Sequence, residues 1–202
     1  NHLKYVELAL ESFGILYARG PAEIRKMCVE NLAEEEGIIA QTEVGEEPRE
    51  HIDMIYNFCT AAGLTREEID ATEMTPAWWG RTLYYRHLAA VEPIGVVLAA
   101  FYTQEGQQPQ LNNEVTIPAL TTHYGFERDS DAIEFFVAHE LADQEHSQRQ
   151  LDTAVNFLGT PELEARALEC AEKMCRLRWA SATDLYRLHH LGEQEILPDG
   201  LS

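Results

Sequence analysis

The chain has no CxxC pair, no long apolar run and few basic side chains, and each shortage removes a class of protein. Cys28, Cys59, Cys170 and Cys175 are scattered through helical patterns. Neither a disulfide framework nor a zinc ribbon is expected from them, and reduced thiols in a cytoplasm are. Only 15 Lys and Arg face 35 Asp and Glu, a net charge of -20, which argues against nucleic acid and anionic membrane surfaces as partners. The longest apolar run, Ile94 to Tyr102, is interrupted by Gly95 and is too short to span a bilayer. No charged and then apolar leader opens the sequence. Asn1 already sits inside a helical pattern, so residues before it are expected to be missing. Internal repeats, low-complexity linkers and sustained period-two alternation are lacking too, which excludes solenoids and sheet proteins.

What is present is helix. The 202 residues, 45% hydrophobic, fit one domain (1–202) with a real core. Leu3, Val6, Leu10, Phe13 and Tyr17 recur at helical spacing until Gly20-Pro21. A second helix is expected from Pro21 to Glu36, with Ile24, Met27, Cys28 and Leu32 on its apolar face. The stretch Gly37 to Glu47 reads as a loop or broken helix, and Pro48 as the first turn of a third helix running to Gly63. Thr65 to Glu68 reads as a capping box. Thr75-Pro76 and Glu92-Pro93 open two more helices, the latter reaching Glu105. Pro109 to Tyr124 is expected to be helical with a kink at Pro118. Asp129 or Ser130 caps a central helix that ends at Gly159. Thr160-Pro161 starts a last helix reaching about His190, and residues 191–202 form a loosely held tail.

The central helix, Ala132 to Leu158, carries the chemistry. At about 100° per residue, positions i, i+4 and i+7 return to nearly one face, and here they are His139, Asp143 and His146. Ala132, Phe135, Phe136 and Gln150 share that face, while Glu134, Glu140, Glu145 and Arg149 fall on the others. Two imidazoles and a carboxylate thus point inward at the depth of buried Phe side chains. A buried carboxylate needs a partner. The alternatives are a His–Asp–His hydrogen-bond network or a shared cation, since imidazole nitrogen and carboxylate oxygen suit iron, manganese or zinc.

One helix cannot enclose an ion, so facing helices must contribute. Glu35 lies three past Leu32, near the inward face, between the more simply solvated Glu34 and Glu36. His51 sits one residue before Ile52. Glu105 follows Ile94, Leu98 and Phe101 at helical intervals, and Glu114 competes with it.

The segments NLAEEEG from Asn31, HIDMIYNF from His51, LAAFYTQEGQQP from Leu98, HYGF from His123 and FFVAHELADQEH from Phe135 resemble the haem-oxygenase-like non-haem diiron oxidases and oxygenases. The resemblance implies an all-α, seven-helix haem-oxygenase-like bundle. It makes Glu35, His51, Glu105, His139, Asp143 and His146 the ligands of two Fe(II)/Fe(III) ions, with O2 as cosubstrate and Glu7 as an extra ligand in some members. The stretch between Glu35 and His51 is longer than in the family, which leaves Glu34, Glu35 and Glu36 open as the ligand there. One branch that forms para-aminobenzoate modifies a tyrosine and a lysine of its own. The matching positions here are His2 or Asn1 and a lysine-free stretch around Val115, so that activity is not expected.

The activity implied is oxidation of a small amine-bearing, amino-acid-like substrate by N-oxygenation, desaturation or C–C cleavage in specialised metabolism. An external electron donor and a homodimer are compatible with it. Arg81, Arg86, Arg176 and Arg178 are candidates for a substrate carboxylate, because guanidinium forks match that group. Alternatives are a fatty-acid-type oxidative decarboxylase, a metal-free thiaminase-like or pyrroloquinoline-quinone-synthase-like enzyme, and a non-enzymatic iron-binding bundle. The thiaminase-like reading needs a nucleophilic cysteine that Pro93 to Glu105 lacks.

Overall fold

A computed structural model describes residues 1–39 and 48–193, apart from the side chains of 141–146. Among them the chain is helical, with seven helices of eleven residues or more: α1 (His2–Arg19), α2 (Ala22–Glu35), α3 (His51–Ala61), α5 (Pro76–Val91), α6 (Ile94–Glu105), α9 (Glu134–Asn156) and α10 (Pro161–Leu185). Between them lie the short α4 (Arg66–Ala71), α7 (Gln108–Leu111) and α8 (Ile117–His123). None of the described helices is long and apolar enough to cross a membrane.

The boundaries follow local chemistry. Thr65 and Glu68 form the reciprocal capping box that opens α4, and the Thr75 and Thr160 hydroxyls accept from Trp78 N and Leu163 N to open α5 and α10. Each satisfies an amide that the first helical turn would otherwise orphan. Two starts differ from expectation. The third helix begins at His51 rather than Pro48, because Glu50 is drawn into an antiparallel bridge with Glu36. The central helix begins at Glu134: tight turns close Ser130 N on Glu127 O and Ile133 N on Ser130 O, with Ile133 fully buried as their anchor. The segment 108–123 breaks earlier than Pro118. Asn112–Thr116 widens into a π-turn in which the Ile117 amide reaches Asn112 O, a local rearrangement next to a proline that has no amide of its own to donate.

The first helix is rotated from the expected face. Tyr5, Ser12 and Leu16 are buried, whereas Tyr17 is exposed, because α1 is flanked by α2, α3 and α5 and so buries a wider arc than one stripe. The most enclosed helix is α6, with Val96, Val97, Leu98, Ala100 and Phe101 all at zero exposure. It packs chiefly against α10 and α9. Two apolar clusters result. The larger gathers around Phe13, Leu88, Phe101 and Met174, the smaller around Leu3, Met54, Trp78 and Phe135.

Gly95 is what lets α6 lie against α9. A Cβ there would stand 2.8 Å from Phe157 C and 3.0 Å from Ala154 O, and backbone cannot step aside as a side-chain tip can. Gly95→Ala is therefore expected to destabilise the fold by about 1–3 kcal/mol, the usual cost of overpacking, read as a lowered urea midpoint at unchanged slope.

Candidate metal centre

Where the two apolar clusters meet, a cavity of about 100 Å³ is lined by Tyr5, Val6 and Phe135 from one side and Phe13 and Tyr85 from the other. Glu35, Glu105 and His139 line it too. They come from the end of α2, the end of α6 and the second turn of α9. His51, from the first turn of α3 and only 1% exposed, places Nδ1 2.7 Å from Glu35 Oε2. The His51 and His139 rings are 4.6 Å apart between centroids. One donor atom from each of Glu35, His51 and His139 falls within 4.8 Å of the others.

The orientation of His139 suits a ligand. Its Nδ1 stands 2.6 Å from Phe135 O, an acceptor only, so Nδ1 carries the proton and Nε2 keeps its lone pair. Metal-bound imidazoles are commonly fixed by such a bond on the other nitrogen. Phe135 itself packs against the His139 ring. Two imidazoles and a carboxylate converging in a largely apolar wall are a donor set that fits iron.

The tie between Glu36 and Glu50 turns Glu36 away and leaves Glu35 against His51, while Glu34, expected in solvent, has Oε2 buried. Gly37 takes φ +63°, and a Cβ on it would stand 2.5 Å from Glu50 N, so only glycine permits this approach. The bridge closes the neck of the long connection and sets the end of α2 beside the start of α3. Glu35 meets His51, while Glu36 is exposed in the bridge.

Of the other expected residues, Glu105 reaches the cavity, whereas Glu114 is exposed and accepts from Gln110. Arg178 holds the end of α6, donating to the Thr103 and Gln104 carbonyls and to Gln108 Oε1. It thereby fixes the turn that carries Glu105. Glu7 is exposed. Arg86 pairs with Glu11 in solvent at 3.6 Å, and Arg176 pairs with Glu172 one turn away. None of these three lines the cavity. Helix α9 is unbroken through Asp143 and His146, but their side chains lie outside the described residues.

The structure adds Tyr5 and Gln104 to the lining, and places there His2 and Tyr85, of which Tyr85 belongs to an aromatic stretch that could equally be core or pocket wall. Burial lowers the pKa of His2 to about 3, with the charges of Arg81 and His139 adding to the effect. Burial also raises the Tyr5 and Tyr85 phenols above their ordinary value. An aromatic on a core stripe carries no signal that distinguishes packing from lining a site.

The fold and this donor set define an iron protein. A family model described as iron-containing redox enzyme matches residues 4–179, and the chain belongs to that family. It is an oxidoreductase, and the resemblance to the haem-oxygenase-like diiron oxidases holds across the chain. Among its relatives is the 4-aminobenzoate synthase of Nitrosomonas europaea, 29% identical over 179 residues, which are 89% of this chain and 68% of that protein. The 4-aminobenzoate synthase of Chlamydia trachomatis is 30% identical over 128 residues, 63% of this chain and 51% of its own length. The chain thus spans between half and about two-thirds of the curated relatives it matches.

His139→Ala and Glu35→Ala are each expected to remove iron from the purified protein, measured by metal analysis after anaerobic Fe(II) loading. Glu140→Ala and Glu36→Ala should load as the parent does, since Glu140 merely pairs with Arg128. Equal loss from Glu35→Ala and Glu36→Ala would sink the assignment. Gly37→Ala, which touches no donor atom, should weaken loading by spoiling the neck.

Proposed function

We propose that the chain is an O2-dependent diiron oxidase or oxygenase acting on a small amine-bearing, amino-acid-like molecule. The observation that carries this is the meeting of Glu35, His51 and His139 beside one cavity, with the His139 ring oriented by the bond from Nδ1 to Phe135 O. In this reading Glu105, Asp143 and His146 complete a set of three histidines and three carboxylates for two iron ions. When bound, the iron supplies the capacity to reduce O2 and to oxidise an organic group held beside it.

The chain's own residues do the rest. The 2.7 Å contact between His51 Nδ1 and Glu35 Oε2 holds the two side chains against each other, so that both donors are in place before a cation arrives. Phe13, Phe135 and Tyr85 give the cavity apolar walls. Arg178 and the bridge between Glu36 and Glu50 hold two donor-bearing helix ends in position. The cavity's 100 Å³ is below the roughly 300–1,000 Å³ of drug-sized sites. That speaks for a compact substrate over a long acyl chain. The relatives are named for making 4-aminobenzoate, a small molecule with an amine and a carboxylate, and this supports the same pairing of groups here. A small-molecule substrate and an external electron donor are the partners implied, and the net charge of -20 speaks against nucleic acid.

The test is anaerobic loading followed by O2, with absorbance and O2 uptake recorded against a panel of amino acids and aminobenzoates. Close to two Fe(II) per chain and uptake coupled to one panel member are expected. Iron oxidation that no organic compound accelerates would identify a storage bundle, and activity that survives chelation would identify a metal-free enzyme.

A further inference from the structure

The cavity also holds a cation that the metal donors do not explain. Arg81, on α5, lines it and is 5% exposed, the one buried arginine among the described residues. A guanidinium cannot shed its charge and offers five N–H donors, so burying it without an opposite charge is costly. Arg81 Nε and Nη2 both donate to one neutral oxygen, Gln104 Oε1, at 3.0 and 2.6 Å. Its Cζ lies 4.0 Å from the Tyr5 ring centroid and 4.9 Å from that of Trp78. Aromatic faces attract the cation but do not neutralise it. Arginines in solvent, where pairing is worth least, do have carboxylates: Arg49 with Glu134, Arg149 with Glu30, Arg166 with Glu92. Arg81 has none within ion-pair distance among the described residues.

We infer that Arg81 and Gln104 form a carboxylate-recognition site inside the cavity, taking the acid group of a small amino acid or amino-substituted acid. This deepens the proposed function and rests on it. By occupying Nε and one edge of the fork with a single amide oxygen, Gln104 fixes the rotation of the guanidinium and leaves donors for an incoming anion. Thr103 holds Gln104 in turn, its hydroxyl accepting from Nε2 at 2.8 Å. The remaining atoms of the ligand then share the cavity with Glu35, Glu105 and His139, which puts its amine beside the residues that would hold iron. Arg178 is committed to the end of α6 and Arg86 and Arg176 lie outside the cavity, so Arg81 is the arginine that reads the acid.

The experiment is calorimetric titration of the full chain, both chelator-treated and Fe(II)-loaded under argon, with propionate, L-alanine and propionamide. Propionate and L-alanine should bind both forms and propionamide neither. Gln104→Glu places an internal carboxylate on the guanidinium, so the charge it adds is paired where it is buried. It should keep the parent melting temperature or raise it, while weakening propionate roughly ten- to a hundredfold, the range for hydrogen bonds to a charged group. Arg81→Gln should lose binding equally, and Arg81→Lys should recover part of it. Unchanged affinity in a folded Gln104→Glu or Arg81→Gln variant overturns the assignment. So does equal binding of propionamide, or no binding of either acid to the parent. Iron-coupled O2 uptake without acid binding would sink this site alone. Acid binding without uptake would sink the oxidase reading and leave the site standing.

Discussion

The structure depends on a costly concentration of polar groups in a dry seam between two apolar clusters. Glu35, His51 and His139 converge there from three helices, and Arg81 and Glu105 line the same small cavity. Leaving one such group without a partner costs of the order of the bundle's whole net stability. A helical bundle built only to fold would place leucine at these positions. The clustering makes sense in an iron-containing family, where a bound cation would satisfy the donors together.

That constraint explains the placement of the less regular features. The glycine at 37 in a left-handed conformation, the bridge from Glu36 to Glu50, and Arg178 on the last carbonyls of α6 each sit one or two residues from a donor. The buried Asn112 in the π-turn donates to Phe136 O at 3.1 Å, three residues before His139. Regular helix brings a side chain to within a few ångströms of a site. The final adjustment comes from helix ends, where the backbone can still be steered by a cap, a bridge or a glycine.

The sequence revealed the helices, because apolar spacing and proline, glycine and threonine punctuation are local properties. It placed His139 and Glu105 correctly relative to the core for the same reason: each extends an apolar stripe on its own helix. It could not choose among Glu34, Glu35 and Glu36, since three adjacent carboxylates differ only by rotation about the axis and by a contact with a helix sixteen residues on. Nor could it separate the candidate arginines. Arg81 and Arg86 stand on one helix, yet one is sealed under Tyr5 and Trp78 and the other faces water. Only the packing of α1 and α6 against α5 separates them.

The same packing bears on how an acidic chain can handle an acidic ligand. With a net charge of -20, the long-range field repels anions, but at physiological ionic strength it decays within about 8 Å of the surface. Inside the cavity the near field decides, and there a desolvated guanidinium acts through a low effective dielectric. An acid must cross a repulsive exterior to reach an attractive interior, whereas a zwitterion crosses it without net penalty. On the proposed reading, the charge of the whole chain and the one arginine buried among the described residues favour the same ligand, one that carries its own positive group beside its carboxylate.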